Sequence, residues 1–531
     1  MIAGVNETHF DRANAGRVVE NKEERFSMLS RLLTPRNFLL AFACLFPLVA
    51  GRDRLENNSL KFDVLAVSSL ILGGVIFRRF RFDLFSLFRN RNTRLPMILG
   101  AVFGIYAIWL LNFTPGSFLI IFLFFITVPI LVQGYLKDKL RKHVITLVKL
   151  LSVVVVICCY FNANQSVALA GGALLKTGLI TYGCCLLIFI ATILFIPMRG
   201  AFSPSNPGIP FSNRLFSDAQ SMLEMPIKWM LAGSFVVSII GLLQFFEGNF
   251  MARIFSDLQT DPRSIGTLGQ PNWFGTYLLL MLPLSTYQFF RERSHANGTV
   301  RLPFWSRPRF AWGLLCCLLY ANILTAQTRG AWIATAVFIA FLFVSRPEHR
   351  RNTAKLTALF FVVTALLAPW NNWAILKRAD TLPTEAGHAV EGSSSTGSGR
   401  FGFWKYALRM LPRHAILGSG LDTLGKIAPP GTTPVLKAHS IYLEYAVTIG
   451  IPGLLFYLAF IWGCTEKASR SFLRWTLRAV IVVYFVQGIF IHDKIQTWPL
   501  LWFIAGLSAL ASNEAVKIPE SGMAKTVHAL S

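Results

Sequence analysis

Residues 311–344 read AWGLLCCLLYANILTAQTRGAWIATAVFIAFLFV, an apolar run interrupted by one charge, Arg329. About 20 mainly apolar residues in a helix cross the hydrocarbon core of a bilayer. The run is too long for one crossing and too apolar for water. It reads as two spans, 310–326 and 330–345, joined by a tight turn at Thr328-Arg329-Gly330.

Similar stretches recur in both directions. By apolar length the earlier spans are 37–51, 62–77, 95–112, 116–134, 143–161, 176–197, 229–247 and 271–290. The later ones are 355–370, 439–463, 475–491 and 496–512. The fold class expected is an all-α polytopic membrane protein with about 14 transmembrane helices, in the range of about 12 to 14. Composition agrees: 54% of residues are hydrophobic and 15% charged, against about 25% charged in soluble domains.

The net charge of +25 is spread in short runs between apolar segments. That pattern points away from nucleic acid and toward the positive-inside rule. With a cytoplasmic N-terminus, the inner loops hold Arg78, Arg79 and Arg81, then Lys137, Lys139, Arg141 and Lys142, then Arg291, Arg346, Arg350 and Arg351, and last Lys467 and Arg470. The short outer loops hold only Arg52, Arg54, Lys61, Arg253, Arg263, Arg329 and Lys494. The alternation holds at every loop and places both termini in the cytoplasm. A long polar segment before the first apolar run points to a retained span and not a cleaved signal. The eight cysteines lie in or beside apolar stretches and read as small apolar helix residues.

The expected organisation is a cytoplasmic segment 1–36, N-terminal spans over 37–247, a motif-bearing region 248–463, C-terminal spans over 464–512 and a tail 513–531. One outer loop, 371–438, is long. It contains a Gly/Ser-rich piece, 386–399, then a helix from Arg400 to Leu411 with Phe401, Trp404, Leu408 and Leu411 on one face.

Four short patterns carry chemistry: Arg263-Ser-Ile-Gly266 with Pro271-Asn272; Thr328-Arg329-Gly330; Gly399-Arg400 with Trp404 and Gly418-Ser-Gly420; and His439-Ser440-Ile-Tyr442-Leu443-Glu444 with Gly450. In this topology all four face outward. Arg329 lies deep in apolar sequence, where a charge needs a partner, and its planar guanidinium matches phosphate oxygens. An imidazole at His439 near guanidiniums stays neutral and able to accept a proton. Glu444 reads as a buried carboxylate balancing a nearby Arg.

Together the four patterns resemble the O-antigen ligase/polymerase superfamily of bacterial envelope glycosyltransferases, over about residues 250–460. The resemblance implies metal-independent, inverting glycosyl transfer without a cofactor, on the periplasmic face of the bacterial inner membrane. It implies an undecaprenyl-diphosphate-linked glycan as donor and a hydroxyl of a glycan, lipid A core or protein as acceptor. By position, Arg263 and Arg329 hold the diphosphate and His439 is the base. Arg400, Asn272, Trp404, Tyr442 and Glu444 line the substrate site. The sequence departs from the family's pattern at Ser440, where Asn is usual, and at Thr328, where Ser is usual. About 14 spans exceed the dozen common for ligases, so polymerase and protein O-oligosaccharyltransferase stay open. A transporter would want charges at mid-span, and here only Lys149, Lys176 and Glu444 qualify.

Overall fold

The computed structural model describes residues 34–51, 53–79, 140–197, 211–246, 263–291, 308–370, 373, 375–380, 399–429, 434–466 and 471–512. The expected spans 95–112 and 116–134, the Gly/Ser-rich piece and both terminal segments lie outside them. The described residues are helical with no strand. The helices are α1 (Pro35–Leu45), α2 (Arg54–Arg79), α3 (Lys142–Tyr160), α4 (Gln165–Ala170), α5 (Leu179–Phe195), α6 (Phe211–Phe246), α7 (Pro271–Arg291) and α8 (Pro308–Thr325). They continue as α9 (Arg329–Ser345), α10 (Arg350–Leu367), α11 (Arg400–His414), α12 (Ile441–Thr448), α13 (Gly450–Gly463), α14 (Phe472–Gly488) and α15 (Trp498–Ser512).

Two layers of hydrophobicity organise the bundle. Every residue of α5 and of α15 is buried, and so is nearly all of α7. Helices apolar on all sides belong at the centre. α15 packs on α5, while α8 and α14 pack on α7. The outer helices turn large apolar side chains outward: Val344 is 72% exposed, Phe361 71% and Leu366 67%. Such a surface would be a liability in water and is the natural face toward lipid tails.

Among the described residues, three stretches are long and apolar enough to cross a membrane alone: Leu55–Ile76, Lys142–Tyr160 and Ser221–Phe246. α9 and the chain from Pro347 to Leu367 meet at a bend of 107° and make a fourth if counted as one span. The helices at 35–48, 179–195, 309–325, 450–463 and 498–512 are apolar but shorter. Length alone thus shows fewer crossings than the apolar runs suggested. Among the described residues, irregular backbone packed inside protein lies beside these helices at 264–269, 326–328 and 491–497. Non-helical backbone at membrane depth is tolerated when protein buries it.

Three local expectations change. The run 439–463 is not one helix. It breaks between α12 and α13 at Gly450, whose φ is +73° and whose added Cβ would stand 2.4 Å from the carbonyl oxygen of Ile416. The second span begins earlier, so Lys61 sits inside α2 and not in an outer loop. Its ammonium donates to the carbonyls of Phe46 and Pro47, each at 3.3 Å, and caps the end of the first helix. The helix expected at 400–411 is present as α11 and runs on to His414. Ala407 and Met410 are buried against Leu424, Ala438 and Val447, while Leu408 is 54% exposed. Small and flexible side chains suit that tight contact better than the leucine stripe. The cysteines behave as expected: all are free, and all but the half-buried Cys317 are buried.

Candidate active site

Each of the four patterns stands at the start of a helix: 263–270 before α7, Thr328-Arg329 at α9, Gly399-Arg400 at α11 and His439-Ser440 at α12. A helix N-terminus carries unpaired N–H groups and a positive dipole end. A guanidinium placed there adds cation to cation. That is unfavourable for the helix and favourable for an arriving anion.

The first two patterns are stitched together. The Ser264 amide donates to the Thr325 carbonyl at 3.1 Å, and the Ser264 hydroxyl donates to the Gly241 carbonyl at 2.8 Å. Gln244 accepts from the amides of Ile265 at 3.0 Å and Gly266 at 2.7 Å. Gly266 has φ +55°, and a Cβ there would come within 2.9 Å of the Phe274 ring. The Thr328 hydroxyl donates to the Pro271 carbonyl at 3.1 Å, tying the start of α9 to the start of α7. Arg329 is 7% exposed. Gly330 lets α9 approach α14: a Cβ would lie 2.5 Å from Gln487 Oε1. Arg263 and Asn272 are half-buried at the rim of the same turn.

The last two patterns form a second stitch. Gly418 and Gly420 have φ of +68° and +93°. The amides of Ser419 and Gly420 donate to the carbonyls of Val447 at 3.0 Å and Thr448 at 2.9 Å, clamping the end of α12. Lys437 is buried and bridges two carboxylates, Asp422 Oδ1 and Glu444 Oε1, each at 2.9 Å. Asp422 Oδ2 accepts from the amides of Gly172 at 2.7 Å and Thr177 at 3.2 Å. Glu444 Oε2 accepts from the Ala438 amide at 2.8 Å. So Glu444 balances a lysine and not an arginine. The reason is reach: Lys437 precedes the helix that carries Glu444, and both fold over one buried point. Burial pushes Asp422 up, but Lys437 and the two amide donors hold it below the usual carboxylate range. A small cavity of about 10 Å³, roughly one water in size, lies among Thr177, Asp422, Lys437, Glu444, Tyr445 and Asp493.

This network holds the residue before α12. His439 has φ +50°, a left-handed conformation rare for a side chain. Its imidazole stacks on Phe403 of α11, centroids 5.1 Å apart, and meets the His492 ring edge-on at 5.0 Å. Burial, then Lys494, then Arg400 and Lys437 push its pKa down to about 4. Burial is the largest cause, and Lys494 comes ahead of the Arg400 guanidinium. Arg400 is near enough to act electrostatically on the imidazole, whereas Arg263 and Arg329 belong to the first stitch.

The two stitches meet at a segment the sequence reading passed over, Ile491–Thr497 between α14 and α15. It is buried throughout. His492 touches His439, and the Lys494 ammonium lies 4.9 Å over the Trp273 ring in the first turn of α7. The hydroxyls of Tyr445, Tyr457 and Tyr484 donate to Asp493, joining α12, α13 and α14. Charges placed so close to an apolar span, Ile-His-Asp-Lys-Ile-Gln, were the available signal. Burial and Lys437 press Lys494 down to about 7.

The remaining expected residues take local positions. The Tyr442 hydroxyl donates to the Phe485 carbonyl at 2.9 Å and so fastens α12 to α14. Trp404 is half-buried, its ring 5.2 Å from Phe401, and no acceptor among the described residues meets its indole N–H. Among the described residues no cluster of three or more His, Cys, Asp or Glu is arranged for a metal ion.

A helical membrane bundle with a cation-lined imidazole at its helix starts defines the class. Residues 313–458 match the family model described as O-antigen ligase, which bears out the resemblance carried by the four motifs. That match contains Arg329, Arg400, Trp404, His439, Tyr442 and Glu444. Among named proteins, the chain is 24% identical over 250 residues to the ComP-specific O-oligosaccharyltransferase of Acinetobacter baylyi. The similarity covers 44% of this chain and 40% of that relative, so the chain spans less than half of the relative's length.

Proposed function

We propose that this protein is a membrane glycosyltransferase that moves a glycan from an undecaprenyl-diphosphate donor to an acceptor hydroxyl. The reaction takes place on the periplasmic face of a bacterial inner membrane, with the chain crossing about 14 times and both termini in the cytoplasm. One observation carries the reading: a half-buried imidazole at His439, its pKa pushed down, stands among cations at helix starts. That arrangement suits a reaction in which a hydroxyl loses a proton while a diphosphate leaves.

The chemistry is a single displacement with inversion. The acceptor oxygen attacks the anomeric carbon, and its proton passes to the His439 imidazole. The bond from that carbon to the diphosphate oxygen breaks, and undecaprenyl diphosphate departs as an anion. Arg263 and Arg329, with Arg400 beside His439, stabilise the developing negative charge, the role a metal ion plays in other transferases. The three cations acting on His439, together with burial, make it a weak base. A bound diphosphate offsets them and raises the imidazole pKa, so the base strengthens when the donor is in place. The long prenyl chain fits a site beside lipid-facing helices.

A protein hydroxyl as acceptor is the second reading, favoured by the similarity to an O-oligosaccharyltransferase. Gel analysis of envelope glycans and glycoproteins in a deletion strain tests both. Loss of long glycan from lipid A core supports a ligase, and loss of glycan from a protein supports the second reading. Unchanged glycans on both acceptors would sink the proposal.

A further inference from the structure

Of the three charged or titratable side chains in 491–497, Asp493 is satisfied by three tyrosine hydroxyls. The other two are not. Lys494 is 5% exposed; its ammonium lies 4.9 Å over the Trp273 ring, and among the described residues no carboxylate forms an ion pair with it. The carboxylates whose charge reaches it, Asp422 and Glu444, are already bridged by Lys437. His492 is 3% exposed, and among the described residues neither ring nitrogen is hydrogen-bonded. Among the described residues, a buried ammonium outside any ion pair stands next to a buried imidazole with no hydrogen bond, and such an arrangement is costly to keep. Both groups border His439, and Trp273 adjoins Asn272. The place is therefore lined by unmatched positive charge and open hydrogen-bonding capacity, at the junction of the two stitches.

Resting on the function proposed above, we propose that Lys494 is a substrate-binding cation of this site, contacting a diphosphate oxygen of the donor between Trp273 and His439. An anion there supplies the missing counter-charge and restores the positive state that burial opposes. Lys494 lies outside the 313–458 match.

The test measures binding of inorganic pyrophosphate to the full-length protein in lipid nanodiscs by calorimetry. K494M and K494Q are expected to weaken binding about tenfold or more, and K494R to stay within about threefold of wild type. On the unaltered protein, pyrophosphate is expected to protect Lys494 from amine acetylation, read by peptide mass spectrometry, which needs no variant to fold. Wild-type affinity in folded K494M, or equal labelling of Lys494 with and without pyrophosphate, overturns the assignment alone. Wild-type protein that binds no pyrophosphate overturns it together with the proposed function. Pyrophosphate binding through Lys494 in a protein that transfers no glycan keeps the assignment and removes the transferase reading.

Discussion

His439 shows how a single residue is held for chemistry. Its left-handed backbone is maintained by neighbours on both sides: Lys437 locked to Asp422 and Glu444, and Ser440 at the N-cap of α12. Such strain persists only where the surroundings over-determine it. Replacing His439 by Ala is expected to lower glycan transfer about 10²–10⁴-fold, the usual contribution of a general base, while insertion and melting temperature stay near wild type. Wild-type turnover in that variant would rule out the base role. The pH dependence has a defined sign. The imidazole works unprotonated, so activity falls as pH drops through its pKa. The acid limb of kcat/KM reports the free enzyme, near the depressed value of about 4; the limb of kcat reports the donor complex. The kcat limb is expected at higher pH, because the diphosphate cancels the cations. Coincident limbs would argue against a diphosphate beside His439. Arg329→Lys keeps the charge and loses the planar fork, so transfer by that variant is expected to drop about tenfold or more. A rate equal to wild type would make Arg329 structural. At this scale the sequence marked His439, Arg329 and Arg400 by their patterns. It did not mark Lys437, His492 or Lys494, because a lysine's partner, or its lack of one, is set by residues far away in the chain.

Helix ends, more than helix middles, shape the site. α12 and α13 form a joint at Gly450, where φ is +73° and the Ile416 carbonyl lies against the backbone. Gly450→Ala places Cβ 2.4 Å from that oxygen in a conformation costing about 1–3 kcal/mol for a non-glycine residue. A lower melting temperature in nanodiscs and loss of transfer are the expected outcome. Gly74→Ala is the matched control. It lies mid-helix in α2, nothing stands within 4 Å of its Cβ, and no loss of stability is expected. Equal melting temperatures for the two variants would remove the case for a strained joint. Apolar length placed α7, α8, α9 and α14 close to their true positions. It merged α12 with α13, because glycine's need for positive φ is invisible to hydrophobicity. Apolar spacing marked one face of α11, but not that Ala407 and Met410, on another, make its close contact with the protein.

For the whole molecule, the basic residues between spans carry a claim about sidedness. A reporter fused near Ser394, in the loop 371–438, is expected to read as periplasmic. A cytoplasmic signal there would reverse the topology and move the site to the other face. Composition and apolar periodicity by themselves determined that this chain is an all-helical membrane protein, because transfer of apolar side chains and satisfied backbone bonds depends on local sequence alone. The order of the four motifs determined the family it resembles. Only the tertiary structure decided that these motifs meet at helix starts, that Lys437 and not an arginine answers Glu444, and that 491–497 threads between them. Those outcomes depend on which buried charges find partners across long chain separations, and desolvation makes that choice after the helices have packed.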